Sequence, residues 1–558
     1  MNDENANDWR LTPGAKVYDN ILDAFDEDSN FHVFYYDWRK SVLESAQKLN
    51  SFIEEKIGTE STSVNLIGHS LGGLVGRTCI EKYDGCHTSK LITVGSPHLG
   101  VVDVYPAVQA GEIWQKGVMK LVFELLVHYY QRPGETRKDT LKREAPVLRK
   151  LLPEFDYLTK NEDPIPWNSL RIKNNLLPQL TNSSLTPAVT ETVSGNSKST
   201  LKNITVIDRN WLDETLRFWI DGKPQGTGDY ANEGDGTVLA TSASLTRLSV
   251  PNHEFNLDHG EIISSETALA KIFSLLGKTL PDKEYSSIPE TENYLVFVAH
   301  SPVELFSPQA DTNQHLHPEL IIIPNPEDKQ YDLQVKGIGN GNYLLSVGQI
   351  FGEKVLWNDY PGMAKIGSLE TFSFNISPNT PLENPLVISN SSLKNLITQA
   401  IDDLKNNVNQ EAIKDYQKNF LLYYLEHIET QLDTDPERAI FYSNLFRDAV
   451  NFYQKSNVLS GQTSLKLLNK THNLSTLLES LALNFPKTIE EEQVNQRISF
   501  ADTAKELAKN NVPDKSSALV YLQALEKLDK ATVSDNLYKQ YLLSSQAQFL
   551  FLESKLIK

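Results

Sequence analysis

A chain of 558 residues has room for about three domains of ordinary size. Its 40% apolar and 22% charged residues are an ordinary balance for a globular protein. The net charge of −19 argues against nucleic acid or an anionic membrane surface as the main partner, because both recruit basic patches. There are two cysteines, Cys79 and Cys86, and no Cys/His spacing of the zinc type. Residues 1–9, MNDENANDW, lack the basic and apolar regions of a signal peptide. An extracellular or cell-envelope location is open only if further chain precedes Met1.

In chain order, KVYDNILDAF (16–25) places Val17, Ile21, Leu22 and Phe25 on one helical face. FHVFYY (31–36), SVNLI (63–67), LITVG (91–95), NITVI (203–207) and TRLSV (246–250) predict buried strands. Between the first two, VLESAQKLNSFIEEKI (42–57) predicts a helix with Val42, Ala46, Leu49, Phe52 and Ile53 on its stripe. This alternation predicts an α/β domain over 1–280, with a parallel sheet covered on both faces. The interval between LITVG and NITVI is too long for a connection and predicts an inserted helical cap at about 101–200. Inside it, IWQKGVMKLVFELLVHYY (113–130) carries Lys116, Lys120 and Glu124 and is short for a membrane span. It reads evenly as a buried core helix or as a lid whose apolar side chains, Trp114 and Phe123 among them, meet an acyl chain.

Over 281–390 the period becomes two. NYLVFVAHS, ELIIIP, QYDLQV, NYLLSV and ETFSFNI predict the strands of a β-sandwich domain, with Tyr331, Leu333 and Val335 on one face. GIGNGN (337–342) precedes a strand rather than a helix, and Asn340-Gly341 predicts a β-hairpin, not a phosphate loop. Over 391–558 the period is helical. Leu393, Leu396, Ile397, Ala400, Ile401 and Leu404 form one core stripe, and Ile413, Tyr416, Phe420, Tyr423 and Tyr424 a second.

The stretch VNLIGHSLGG fits G-x-S-x-G as Gly68-His69-Ser70-Leu71-Gly72, between a strand and a helix. In that setting the serine sits in a strained turn, and the N–H of Leu71 points where an oxyanion would form. Cys79 falls in the helix after Ser70 and reads as a buried free thiol. A serine needs a base, and the base an orienting acid. After TRLSV come His253 and His259, in PNHEFNLDHGE, followed by the helix-like SSETALAKIFSLLG. Placement one short loop before that helix favours His259, with His253 the alternative. The acid is sought between NITVI and TRLSV, among Asp208, Asp213, Asp221, Asp229 and Asp235. Asp235 in GDGTV, ahead of a return to a strand, is preferred.

Taken together, YDWRKS (36–41), GHSLGGLVGR (68–77), GSPHLG (95–100), REAPVLRKLLP (143–153) and GDGTV (234–238) resemble the lecithin:cholesterol acyltransferase-like branch of the α/β-hydrolases, with the GPI inositol deacylase lipases nearby. The resemblance implies acyl-ester hydrolysis or O-acyl transfer on lipid-like substrates through an acyl-serine, without a cofactor or metal. It implies Ser70 as nucleophile, Asp235 as acid, His259 as base and Leu71 as oxyanion donor, with His69, Trp114 and Phe123 lining the substrate site. It implies peripheral contact with a membrane or lipid aggregate, and fixes no oligomeric state. The later regions look like accessory parts appended to bacterial members. One departure stands out: no HG-type segment for a second oxyanion donor precedes KVYDNILDAF. A truncated copy, or an impaired hydrolase serving as a binding or surface module, is the alternative reading.

Overall fold

The computed structural model describes residues 16–57, 63–132, 135–180, 190–285, 293–300, 302–381, 385–387, 390–483, 490–509, 512, 515–534 and 537–556. They divide into two compact units, Met1–Thr291 and Glu292–Lys558.

The first unit is built on a parallel sheet whose strands run in the order Val64–His69, Thr88–Val94, Thr190–Gly195, Asn252–Phe255. Successive side chains of a strand point to opposite faces. Leu91 accordingly packs with Val42, Ala46, Leu49, Leu74 and Val75 of helices Val42–Ile57 and Leu71–Lys82. Its neighbour Ile92 packs on the other face with Ile21, Phe25, Ile262, Leu269 and Phe273. Mixed α/β content and a parallel sheet covered on both faces fit an α/β-hydrolase.

Several expected strands are elsewhere. NITVI belongs to the strand Lys198–Ile207, which pairs with Leu158–Lys160, Lys223–Pro224 and Asp229–Gly234 in a separate sheet. The third central strand is TETVSG (Thr190–Gly195), inside the stretch assigned to the cap. Its Thr, Ser and Gly residues make no apolar run, although Val193 is fully buried. FHVFYY joins no ladder among the described residues, and Val33 and Tyr35 are exposed. TRLSV is a 3-10 turn at Thr246–Leu248, ended by Ser249 at φ 58°, and the last central strand follows it. The cap helix Gly117–Tyr130 is a core helix here: Leu121, Phe123 and Val127 are buried, and Glu124 pairs with Arg137 at 2.8 Å. Cys79 is not a free thiol. The elbow helix ends at Lys82, and the turn Asp84–His87 brings Cys86 back to a Cα distance of 5.6 Å, where the two form a disulfide.

The second unit holds two antiparallel sheets and, among the described residues, seven helices between Asn390 and Leu556. One continuous core joins Leu333, Val335 and Phe374 of the sheets to Leu393, Ile397, Ile401 and Leu425 of the helices. GIGNGN is not a hairpin. Lys329–Gly337 lies in one sheet and Gly341–Phe351 in the other, and Ile338 N bonds Pro302 O instead of a partner strand. The hairpin is the next connection, where Phe351 faces Lys354. The second helical stripe also turns out differently. Tyr416, Phe420 and Tyr423 are exposed at 64%, 44% and 48%, while Leu421, Leu425 and Ile428 form the core face of that helix.

Candidate active site

The strand Val64–His69 ends under the sheet's carboxyl edge, and the elbow helix begins at Leu71. Ser70 is held between them at φ 52°, ψ −125°, a conformation that costs a non-glycine residue about 1–3 kcal/mol. Its N–H is tied to Val94 O at 2.8 Å, which locks the turn to the neighbouring strand. A Cβ on Gly68 would lie 2.6 Å from the Gly73 backbone, so the strand and helix can meet this closely only there. As the first helical residue, Leu71 has no carbonyl within the helix for its N–H to bond. The helix N-terminus also favours negative charge at this point.

The acid and base come from two loops at the same edge. Asp235 Oδ2 accepts from His259 Nδ1 at 2.8 Å. Its other oxygen, Oδ1, accepts from the N–H groups of Thr237 and Val238 at 2.9 and 2.7 Å. The loops are joined a second time by His259 N to Asp235 O at 2.9 Å. The Asp235 side chain is fully buried and that of His259 is 20% exposed, so the imidazole is the accessible end of the pair. Two strand-end glycines make room. A Cβ on Gly95 would meet His259 Cε1 and Asp235 Oδ2, each at 3.2 Å, and one on Gly195 would meet Asp235 Cβ at 2.5 Å.

Residues 9–140 match the palmitoyl protein thioesterase family. The thioesterase-like segment carries Ser70, Leu71 and Gly95, and ends before Asp235 and His259. The match supports an α/β-hydrolase of the lipase or esterase kind acting on lipid esters. Among solved structures, the chain is similar to the Bacillus licheniformis lipase BlEst2 in propeptide form, at 10% identity and a TM-score of 0.25, over 61% of this chain and 85% of that one. It is also similar to a chain of the Tle4–Tli4 complex, at 13% identity and a TM-score of 0.25, over 41% of this chain and 65% of that one. No curated protein matches the sequence.

The other carboxylates considered for the acid are engaged away from His259. Asp208 pairs with Lys160, Asp213 caps its own helix and meets Lys223, Asp221 accepts from Gln109, and Asp229 from Asn203. His253 lies on the strand Asn252–Phe255 and meets Glu191 at 2.9 Å. Phe123 is buried in the core of the cap, edge-on to Trp38, and Trp114 packs against that core.

In the thioesterase-like segment, His69 has both ring nitrogens engaged: Nε2 with the backbone O of His259 and Nδ1 with Tyr18 Oη, each at 2.8 Å. A carbonyl only accepts, so Nε2 carries the proton and Nδ1 accepts from the phenol. Burial pushes the His69 pKa down to about 3 and the Tyr18 pKa up to about 12, which keeps both neutral. Asp103 is a second, partly buried carboxyl near the pair. Burial raises its pKa to about 7, with the Asp235 charge adding to the rise and Gln115 and His259 opposing it. Neither Tyr18 nor Asp103 had a motif to announce it, since each reaches the site only through the fold. Among the described residues no cluster of His, Cys, Asp or Glu suits a metal ion, and no helix is long and apolar enough to cross a membrane.

Proposed function

We propose that the chain is a serine hydrolase that cleaves acyl esters or thioesters of lipid-like substrates, with Ser70 as nucleophile, His259 as base and Asp235 as its orienting acid. The observation that carries this reading is the 2.8 Å bond from His259 Nδ1 to the buried carboxylate of Asp235, at the same sheet edge as the strained Ser70 turn. That bond fixes the tautomer in which the lone pair lies on Nε2, the nitrogen that takes the serine proton. Attack forms the Oγ–acyl bond and pushes the carbonyl electrons onto oxygen, where the Leu71 N–H receives them. Collapse breaks the bond to the alcohol or thiol, which leaves with the proton from Nε2. Water, or a second alcohol in a transferase, then repeats the cycle on the acyl-serine. The lipid character of the substrate rests on the thioesterase match and on the motif set shared with lipid acyltransferases.

Hydrolysis of p-nitrophenyl butyrate tests the assignment. Ser70→Ala should abolish turnover and labelling by a fluorophosphonate probe with the unfolding midpoint kept. His259→Ala should cost at least ~10⁴-fold in kcat, by the behaviour of other triads. His253→Ala should cost less than about tenfold, since it breaks a peripheral pair. A larger loss at His253 moves the role of base to that histidine, a Ser70→Ala variant with parental activity removes Ser70 as nucleophile, and a parent that neither turns over nor takes the probe reverses the reading toward a binding module.

A further inference from the structure

The stretch YDWRKS does more than pack. Asp37 and Arg39 form a closed fork: Oδ1 accepts from Arg39 Nε at 2.8 Å and from Arg39 N at 3.1 Å, and Oδ2 from Nη2 at 2.7 Å. The fork is anchored from outside by Val147 N to Arg39 O at 3.3 Å, and the Arg39 guanidinium lies over the Tyr130 ring at 5.9 Å. It therefore fixes the backbone immediately after Tyr36. The Tyr36 ring packs beside Phe34 on the core under the elbow helix. Its hydroxyl projects to the first turn of that helix, 3.8 Å from where a Cβ on Gly72 would stand. Gly72 directly follows Leu71, the expected backbone donor. Among the described residues the Tyr36 hydroxyl makes no hydrogen bond. The neighbouring phenol, Tyr18, is already committed to His69.

We propose that Tyr36 Oη is a second oxyanion donor of this site, acting beside the Leu71 N–H. This rests on the Ser70 reading above. As Ser70 Oγ bonds the acyl carbon and its proton passes to His259 Nε2, the carbonyl electron pair moves onto oxygen. Tyr36 O–H then donates a hydrogen bond to that oxygen and keeps its proton. Burial and the nearby Tyr18 hold the phenol well above its ordinary pKa, so it remains a donor across the neutral range. The helix N-terminus adds its partial positive charge from the same side.

Tyr36→Phe keeps the ring and removes only the donor. With p-nitrophenyl butyrate, kcat should fall by ~10²-fold, the usual cost of one oxyanion donor, with KM within about threefold. Inhibition by an alkyl trifluoromethyl ketone, which forms a tetrahedral oxyanion on the serine, should weaken by a similar factor. Binding of the matching ether, which cannot react, should not change. The unfolding midpoint should stay at the parental value. A Tyr36→Phe variant with kcat within threefold of the parent overturns the proposal, as does a loss expressed only in KM or equally in ketone and ether. A parent whose hydrolysis survives Ser70→Ala removes the site itself and the role of Tyr36 with it. That outcome is separate from a parent that depends on Ser70 but not on Tyr36.

Discussion

His69 Nε2 donates to the backbone carbonyl of His259 at 2.8 Å, so the residue just before the nucleophile holds the loop that carries the base. Tyr18 completes the chain from the other side of the ring at 2.8 Å, and the rings of His69 and His259 lie 4.8 Å apart. His69 is thus a positioning residue with no nitrogen left for substrate. Removing it with His69→Leu takes away this bond to the His259 carbonyl and lets the base shift. A misplacement of ~1 Å costs about 10²-fold in rate. The expected result is a fall of that order in kcat, little change in KM, and a His259-dependent limb of the pH–rate profile that moves. Tyr18→Phe should retain most of kcat while losing about 1–3 kcal/mol of stability, the cost of an unsatisfied buried acceptor. Equal kcat and an unmoved pH profile in His69→Leu would show that His259 is held by other contacts.

The pairing of Asp235 with His259 was more legible in the sequence than the sheet around it. Ser70, Asp235 and His259 stand out as candidates because each has a particular neighbour in the chain: an elbow, a D-G turn, a loop before a final helix. The structure brings the last two into contact, and it places His253 on a strand facing Glu191. The central sheet was less legible because apolar runs mark burial, not membership of a given sheet. NITVI is buried in the cap's sheet, with Ile204 and Val206 at 0% and 1% exposure, and so looks like the central strand that TETVSG is. Thr190, Thr192 and Ser194 are as buried as those residues, and Thr192 and Ser194 turn their hydroxyls to Asn252 and Pro251 O. The aromatic stripe Tyr416–Tyr423 has helical spacing, and spacing alone does not say which face meets the core. His69 and Tyr18, 51 residues apart, meet only through the tertiary fold.

The buried titratable groups around the site give stability a defined pH dependence. Burial holds His69 at a pKa of about 3 and pushes His98 well below its ordinary value, so both remain neutral in the fold. The unfolded chain takes up those protons below about pH 6.5. The stability they contribute is therefore complete above that pH and is lost as pH falls. Asp103 acts in the opposite sense. Its folded pKa of about 7 lies above the unfolded value near 3.9, so the fold holds a proton that the unfolded chain has released between about pH 4 and 7. Between pH 4.5 and 6 the unfolded state gains two histidine protons and the folded state one carboxyl proton, a net difference of one. That predicts a slope of about 1.4 kcal/mol per pH unit from these groups. Asp103→Asn removes the opposing proton, and the slope should steepen to about 2.7. The variant should also be the more stable of the two at pH 7.5. Urea unfolding at pH 4.5, 5.2, 6 and 7.5 measures this, and parallel curves for parent and variant would contradict it.

Two glycines beside Asp235 should respond differently to alanine, because one is needed for space and the other for backbone conformation. Gly195 ends its strand under the acid. A Cβ there would stand 2.5 Å from Asp235 Cβ and 2.5 Å from the Leu257 carbonyl, neither of which is the end of a flexible side chain. Gly195→Ala must therefore displace the acid loop or the strand. Overpacking of this kind costs ~1–3 kcal/mol. A shifted Asp235 also misorients His259, so kcat should fall by about 10²-fold or more. Gly236 follows Asp235 at φ 92°, and a Cβ there would meet nothing within 4 Å. Gly236→Ala should lose ~1–3 kcal/mol from backbone strain alone. The Asp235 carboxylate would still be held by Thr237 N and Val238 N, so kcat should stay within about tenfold of the parent. The two variants should match in stability loss and separate in turnover. If Gly236→Ala were the more damaging to kcat, the carboxylate would depend on the turn's backbone shape more than on the clearance above Gly195.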